Sequence, residues 1–199
     1  MNLQTRVVNI LTKPKEEWPV IAAEQTSVTA LYTGYIMPLA AIPAVCMFLG
    51  FSVLGAAMPF LRALGFGPAY WLMHAIVSYV LGLVGVYLTA LVIERLAPSF
   101  QSEPSFLQAL KLVAYALTAI WVAGVFSLIP PLAVLGMLAG LYGIYLFYLG
   151  VTPLMKTPQE KVIPYMVVAA IVIIVVYVVV NWITSRFTGM FFAGPRIVP

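Results

Sequence analysis

The sequence predicts an all-α fold, a polytopic membrane bundle of five transmembrane helices, and three observations carry that prediction. Hydrophobic residues make up 63% of the chain and charged residues 8%, about a third of the ~25% usual in soluble domains. The apolar residues gather into five runs, each near the ~20 residues that cross a hydrocarbon core of about 30 Å. Most charged residues fall between or beside these runs. With 199 residues, five spans and their connections leave no room for a soluble domain.

Residues 1–29 read as an interfacial segment. Leu3, Val7, Ile10 and Leu11 recur at helical spacing, with Gln4, Arg6 and Asn9 off that stripe. A short amphipathic helix lying in the headgroup plane is expected. The run from Lys13 to Pro19 breaks it and begins a second short helix, in which Trp18 suits an interfacial anchor. No signal peptide is visible, because residues 1–29 lack a continuous apolar stretch. The first span is therefore expected to direct targeting.

That span covers residues 31–57 and holds Pro38 and Pro43. Proline removes a helical hydrogen bond, so a kink or an unwound stretch is predicted. Broken helices line substrate paths in some transporters, and a kink packed against neighbours is the simpler account. The second span, 69–96, carries His74, Ser78, Gly82, Gly85 and Thr89 along one stripe suited to helix contact. His74 is the one histidine and is expected to bond a neighbour rather than a ligand.

The third span covers 106–129. Ser102 is placed as its cap, with Glu103 near its positive end. Lys111 falls early enough for its long side chain to snorkel to the surface. Pro130-Pro131 permits only a tight reversal, so the third and fourth spans should be antiparallel neighbours. In the fourth, 132–151, Gly136, Gly140, Gly143 and Gly150 share one face, with Tyr142, Tyr145 and Tyr148 opposite. Such a face lets helices approach closely in lipid. This span is therefore expected at the bundle centre, against the small residues of the second or third span, Gly82 and Gly85 among them; a homodimer seam is the rival. Thr157-Pro158-Gln159-Glu160 matches a capping box with Thr157 as the cap. The fifth span, 161–184, is rich in Val and Ile and reads as lipid-facing, with Pro164 bending its start. Residues 187–199 form an aromatic tail expected at the opposite interface.

Several chemistries lack their residues. The chain has no Asp, six Glu, one His and one Cys, so neither an Asp-rich Mg²⁺ site nor a zinc site with His74 and Cys46 is expected. No HExxH helix and no GxxxxGK[ST] loop exists. His74 and Glu94 are 20 positions apart, about five turns, so one helix cannot pair them for catalysis. The expectation is a non-catalytic protein with no cofactor and no metal. A net charge of +4 suits a face near anionic lipid better than nucleic acid.

Three stretches resemble one family. LYGIYLFYLGVTPLMKTPQEKVIPY (141–165), YALTAIWVAGVFSLIPPLAVLGMLAG (115–140) and ILTKPKEEWPVIAAE (10–24) resemble the bacterial branch of the Yip1 family, and the likeness covers essentially the whole chain. It implies a five-helix integral membrane protein with a cytosolic N-terminus. Eukaryotic members of that family act in vesicle traffic and bind Rab GTPases. Their DLYGP motif needs an aspartate that this chain lacks, and their long N-terminal region corresponds here to about 30 residues, so GTPase binding does not carry over. The resemblance places the chain in a bacterial inner membrane.

Basic residues set the expected orientation. Arg6, Lys13, Lys15, Arg95, Lys111, Lys156 and Lys161 fall on one side, and Arg62, Arg186 and Arg196 on the other. Seven against three favours a cytoplasmic N-terminus and an external C-terminus. The charged connections then share the cytosolic face. Lys13, Pro14, Glu16, Glu17, Trp18, Glu94, Arg95, Lys156, Glu160 and Lys161 are the candidate partner-binding residues. The expected partners are membrane lipids and a membrane or cytosolic protein, with a homo-oligomer as one form. The expected role is to organise that partner or the bilayer. The alternative is a small channel or transporter, suggested by the prolines of the first span and by Glu94, Arg95 and Lys111 near one membrane face.

Overall fold

The computed structural model of the chain describes residues 2–54, 58–59 and 66–192. Arg62, Arg196 and the tail 193–199 lie outside the described residues. Two short helices, α1 (Leu3–Thr12) and α2 (Pro14–Ala23), come first. Five long ones follow: α3 (Val28–Leu54), α4 (Pro68–Phe100), α5 (Phe106–Leu128), α6 (Pro130–Met155) and α7 (Gln159–Phe191), each long and apolar enough to cross a membrane. Local chemistry sets several starts. Asn2 Oδ1 accepts from the Gln4 N–H at 3.2 Å, and Ser27 Oγ from the Ala30 N–H at 3.1 Å, each satisfying an amide at a helix start. Pro14 and Pro68 open α2 and α4, where a missing N–H costs nothing.

The bundle is built around α5. Within its most hydrophobic stretch 61% is buried, against 17–28% in the other four spans. Ala109, Ala114, Ala116 and Ala119 are buried, and small side chains let neighbouring backbones close in. The expectation that the fourth span forms the centre is therefore corrected. On α6, Met137, Leu138 and Leu141 stand exposed on the outside of the chain. A Cβ added at Gly136, Gly140 or, on α4, Gly82 would meet nothing within 4 Å. Those three glycines mark no helix contact within the chain among the described residues, because spacing alone does not say which face of a span meets protein. Gly85 and Gly143 are placed differently: added Cβ atoms would come 3.1 Å from Val176 Cγ1 and 3.0 Å from the Ala116 carbonyl oxygen.

The prolines of α3 act through turn geometry. A widened, π-type turn runs from Tyr32 to Ile36, with the Met37 N–H bonding the Tyr32 carbonyl. It precedes Pro38, whose ring crowds the carbonyl four residues back; a wider turn relieves that clash. Pro43 packs on Gly124 of α5. The helix α5 itself breaks at Leu117 and resumes as Thr118–Ala123 before a tighter turn, Gly124–Leu128. Thr118 Oγ1 donates to the Ala114 carbonyl at 3.3 Å and meets the Tyr35 hydroxyl at 2.7 Å. Such back-bonding commonly bends helices.

Two expected caps are replaced. Ser105 stands at the start of α5 without a side-chain cap bond. Ser102 and Thr157 instead share a buried hydrogen bond of 2.7 Å, joining the α4–α5 and α6–α7 connections. The Glu103 N–H adds a bond of 2.8 Å to the Met155 carbonyl. The helix α7 runs on to Phe191, with Ile171, Ile174, Val175 and Val178 exposed. Val180 and Tyr165 on its other side meet α4, where the Tyr165 hydroxyl donates to the Ile93 carbonyl at 2.6 Å.

Candidate functional site

The candidate site is the end of the bundle that carries α1, α2 and the α4–α5 and α6–α7 connections. The sequence predicts a short amphipathic helix in the headgroup plane and then a second short helix with Trp18 as an interfacial anchor; the structure instead folds both onto the spans. Together α1 and α2 form an arm folded onto the spans, with Ile10, Trp18 and Ile21 each at most 1% exposed. Trp18 fits a notch at Gly150, where an added Cβ would lie 2.7 Å from the indole and 2.8 Å from Leu112. Its ring also meets Tyr115 edge-on at 6.2 Å. Trp18 is a plug in the protein interior rather than an anchor in lipid.

Beneath the arm lies a buried ionic network. Arg6 is 4% exposed, and its guanidinium bonds Glu17 Oε1 at 2.5 Å and Glu24 Oε2. Asn9 Nδ2 donates to the second Glu17 oxygen at 3.0 Å. The guanidinium carbon also stands 5.8 Å from the Tyr115 ring centre, and that ring lies 4.4 Å from Tyr35. Lys111 does not snorkel outward as expected. Its ammonium is turned inward and donates to the Ile21 and Glu24 carbonyls at 2.9 and 2.7 Å. Those carbonyls lie at the end of α2, where the negative end of the helix dipole falls; the Ile21 oxygen also accepts from the Glu24 N–H at 3.3 Å. Gln108 Nε2 reaches the Ala22 carbonyl at 3.3 Å, and the Tyr142 hydroxyl the Leu11 carbonyl at 2.8 Å. Bundle side chains thus cap both arm helices.

The candidate residues divide into two groups. Pro14, Glu17 and Trp18 are buried under or within the arm. Their place on an open partner surface is corrected, because Glu17 neutralises Arg6 and Trp18 fills the Gly150 notch. Lys13, Lys15, Glu16, Arg95, Lys156 and Glu160 are exposed, and Glu94 and Lys161 are partly so. Lys156 bonds Glu103 at 2.8 Å in the open, a pairing worth little in water. Sequence reading passed over Arg6 and Glu24. A signal was present: around α1, Arg6 lies about 40° from Ile10, closer than Leu11 at about 100°. At the other end of the bundle, His74 stacks near Tyr70 at 5.9 Å, and its Nδ1 has no hydrogen-bond partner among the described residues.

With this architecture in view, comparison with known proteins decides the family. The model of the Yip1 domain matches residues 8–180. The chain belongs to the Yip1 family. It is similar to the inner membrane protein YohC of Escherichia coli strain K12, at 27% identity over 160 residues, 79% of this chain and 82% of the relative. The YohC protein of E. coli O6:H1 strain CFT073 matches at the same identity and coverage. No solved structure is a significant match. The Yip1 match begins inside α1 and ends inside α7, so it takes in Trp18, Glu17, Glu24 and Lys111, while Arg6 precedes it.

Proposed function

We propose that this Yip1 family membrane protein is non-catalytic and holds a protein partner at the arm end of its bundle, which faces the cytoplasm. The observation that carries the reading is the concentration of exposed charge at the arm end of the bundle. Lys13, Lys15 and Glu16 stand on the arm, which the Arg6 network joins together, and Arg95, Lys156 and Glu160 on or beside two connections bonded to each other. Charges on the seated arm and the bonded connections bind with less ordering cost than charges on a loose tail. The orientation rests on the seven-to-three distribution of basic residues. Reporter fusions after Gln101 and Gln159 are expected to read cytoplasmic, and a fusion after Pro199 external. A cytoplasmic reading at Pro199 would overturn the orientation.

The partner itself is tested by neutralising exposed charges that the fold does not use. Glu16→Gln with Arg95→Gln is expected to cut partner recovery in crosslinking pull-downs several-fold, a loss of about 1 kcal/mol. Membrane level and thermal stability should stay at wild-type values, since neither side chain bonds another residue among those described. Unchanged recovery would remove the partner-binding role. Solute or ion flux through liposomes holding only the pure protein would replace this reading with the channel or transporter alternative.

A further inference from the structure

The arm covers a set of hydrogen-bond donors that has the chemistry of a receptor for an anionic lipid headgroup. Lys111, Gln108 and Tyr142 project from α5 and α6 toward the arm, and all three donate. Among the described residues, no bundle carboxylate bonds any of them. Of the arm's charges, the buried Arg6, Glu17 and Glu24 network carries one net negative charge, which matches the positive charge of Lys111 beside it. Lys13, Lys15 and Glu16 lie exposed on the arm's outside. Trp18 supplies the apolar part, seated between Gly150 and Leu112. The arm therefore presents acceptor oxygens and an apolar plug side by side, as a phospholipid presents a phosphate and an acyl chain. Lys111 is five residues into α5, about 8 Å along the helix, near the boundary of headgroup and hydrocarbon.

Two features make the arm removable. Residues Glu24 to Ser27 are not helical, so the arm is joined to α3 by a short extended segment. Its seat is also imperfect: Trp18 Nε1 and Gln108 Oε1 are buried with no hydrogen-bond partner among the described residues. Buried unpaired polar atoms oppose docking. We infer that the arm is a lid over an anionic-phospholipid site made by Lys111, Gln108, Tyr142 and the Gly150 notch, and that arm and lipid compete for it. This goes beyond the partner-binding role and does not depend on it.

The test uses the full chain in nanodiscs, with phosphatidylglycerol or phosphatidylcholine, and native mass spectrometry to count retained lipid. Trp18→Ala removes the plug and Arg6→Gln the network that holds the arm, and neither alters Lys111, Gln108, Tyr142 or the Gly150 notch. An arm seated about 90% of the time lowers apparent lipid affinity about tenfold, so each variant should retain phosphatidylglycerol up to about tenfold more tightly than wild type. Adding Lys111→Gln to either should abolish that gain, and phosphatidylcholine should show none. A gain that survives Lys111→Gln, or equal gains for both lipids, overturns the proposal. A second measurement needs no disruptive variant: a spin label on Val8→Cys in a Cys46→Ala background, since Val8 is 51% exposed on the arm. Label mobility should rise in phosphatidylglycerol vesicles relative to phosphatidylcholine vesicles. No difference between them, or the same rise on adding inorganic phosphate to phosphatidylcholine vesicles, overturns a lipid site.

Discussion

Gly50→Ala and Gly124→Ala are each expected to cost roughly 3 kcal/mol, at the upper end of ordinary overpacking. In a chain of this size that lowers the melting temperature by roughly 6–12 °C. The reason is the rigidity of what a new methyl group would meet. At Gly50 it would lie 2.1 Å from the Ser127 carbonyl oxygen and 2.7 Å from that of Leu128. At Gly124 it would lie 2.6 Å from Pro43 Cβ and 2.7 Å from its Cα. Neither a backbone nor a proline ring can rotate aside, so α3 and α5 must separate. Gly140→Ala is the control: nothing lies within 4 Å of its added Cβ, and replacing a helical glycine adds up to ~1 kcal/mol of stability. Thermal unfolding in detergent should rank the control at or above wild type and the other two well below. Wild-type melting of Gly50→Ala would show that α3 and α5 do not approach as described.

Arg6→Gln is expected to detach the arm without unfolding the spans. It leaves Glu17 buried at 5% exposure with no cation, and breaking a buried ion pair from one side costs about 3–5 kcal/mol. The loss should appear as fast hydrogen exchange and protease cleavage confined to residues 2–27, with the spans still protected. Removing both charges, as in Arg6→Met with Glu17→Met, should restore much of the protection, because a well-packed apolar pair can replace a buried ionic one. Glu24 then remains one-third exposed and solvated. If Arg6→Gln exchanges like wild type, the network does not hold the arm.

The spans were legible because bilayer thickness imposes length and polarity on every crossing segment. Pro130-Pro131 likewise announced a short reversal, since it opens α6 directly after Ile129. What periodicity could not assign was the face that meets protein. In lipid both faces of a span are apolar, so Gly140 and Gly143 read alike, yet Gly140 is open and Gly143 touches Ala116. The arm was misplaced for a related reason. A charged residue beside an apolar stripe suggests a solvated edge, and the partners that make Arg6 tolerable inside lie 11 and 18 positions away. Lys111 shows the same limit: its acceptors are main-chain oxygens 90 and 87 positions distant, which no side-chain pattern announces.

The fastening of the arm divides evolutionary constraint unequally. Among the described residues, each hydrogen bond that crosses from bundle to arm ends on a main-chain carbonyl, at Leu11, Ile21, Ala22 or Glu24. Every amino acid supplies that oxygen, proline included. Substitution at those four positions therefore leaves the acceptor in place. A change at Gln108, Lys111 or Tyr142 removes a donor that the main chain of the arm cannot replace. For these hydrogen bonds, change at the four acceptor positions is buffered by the backbone, and the constraint falls on three side chains of the bundle.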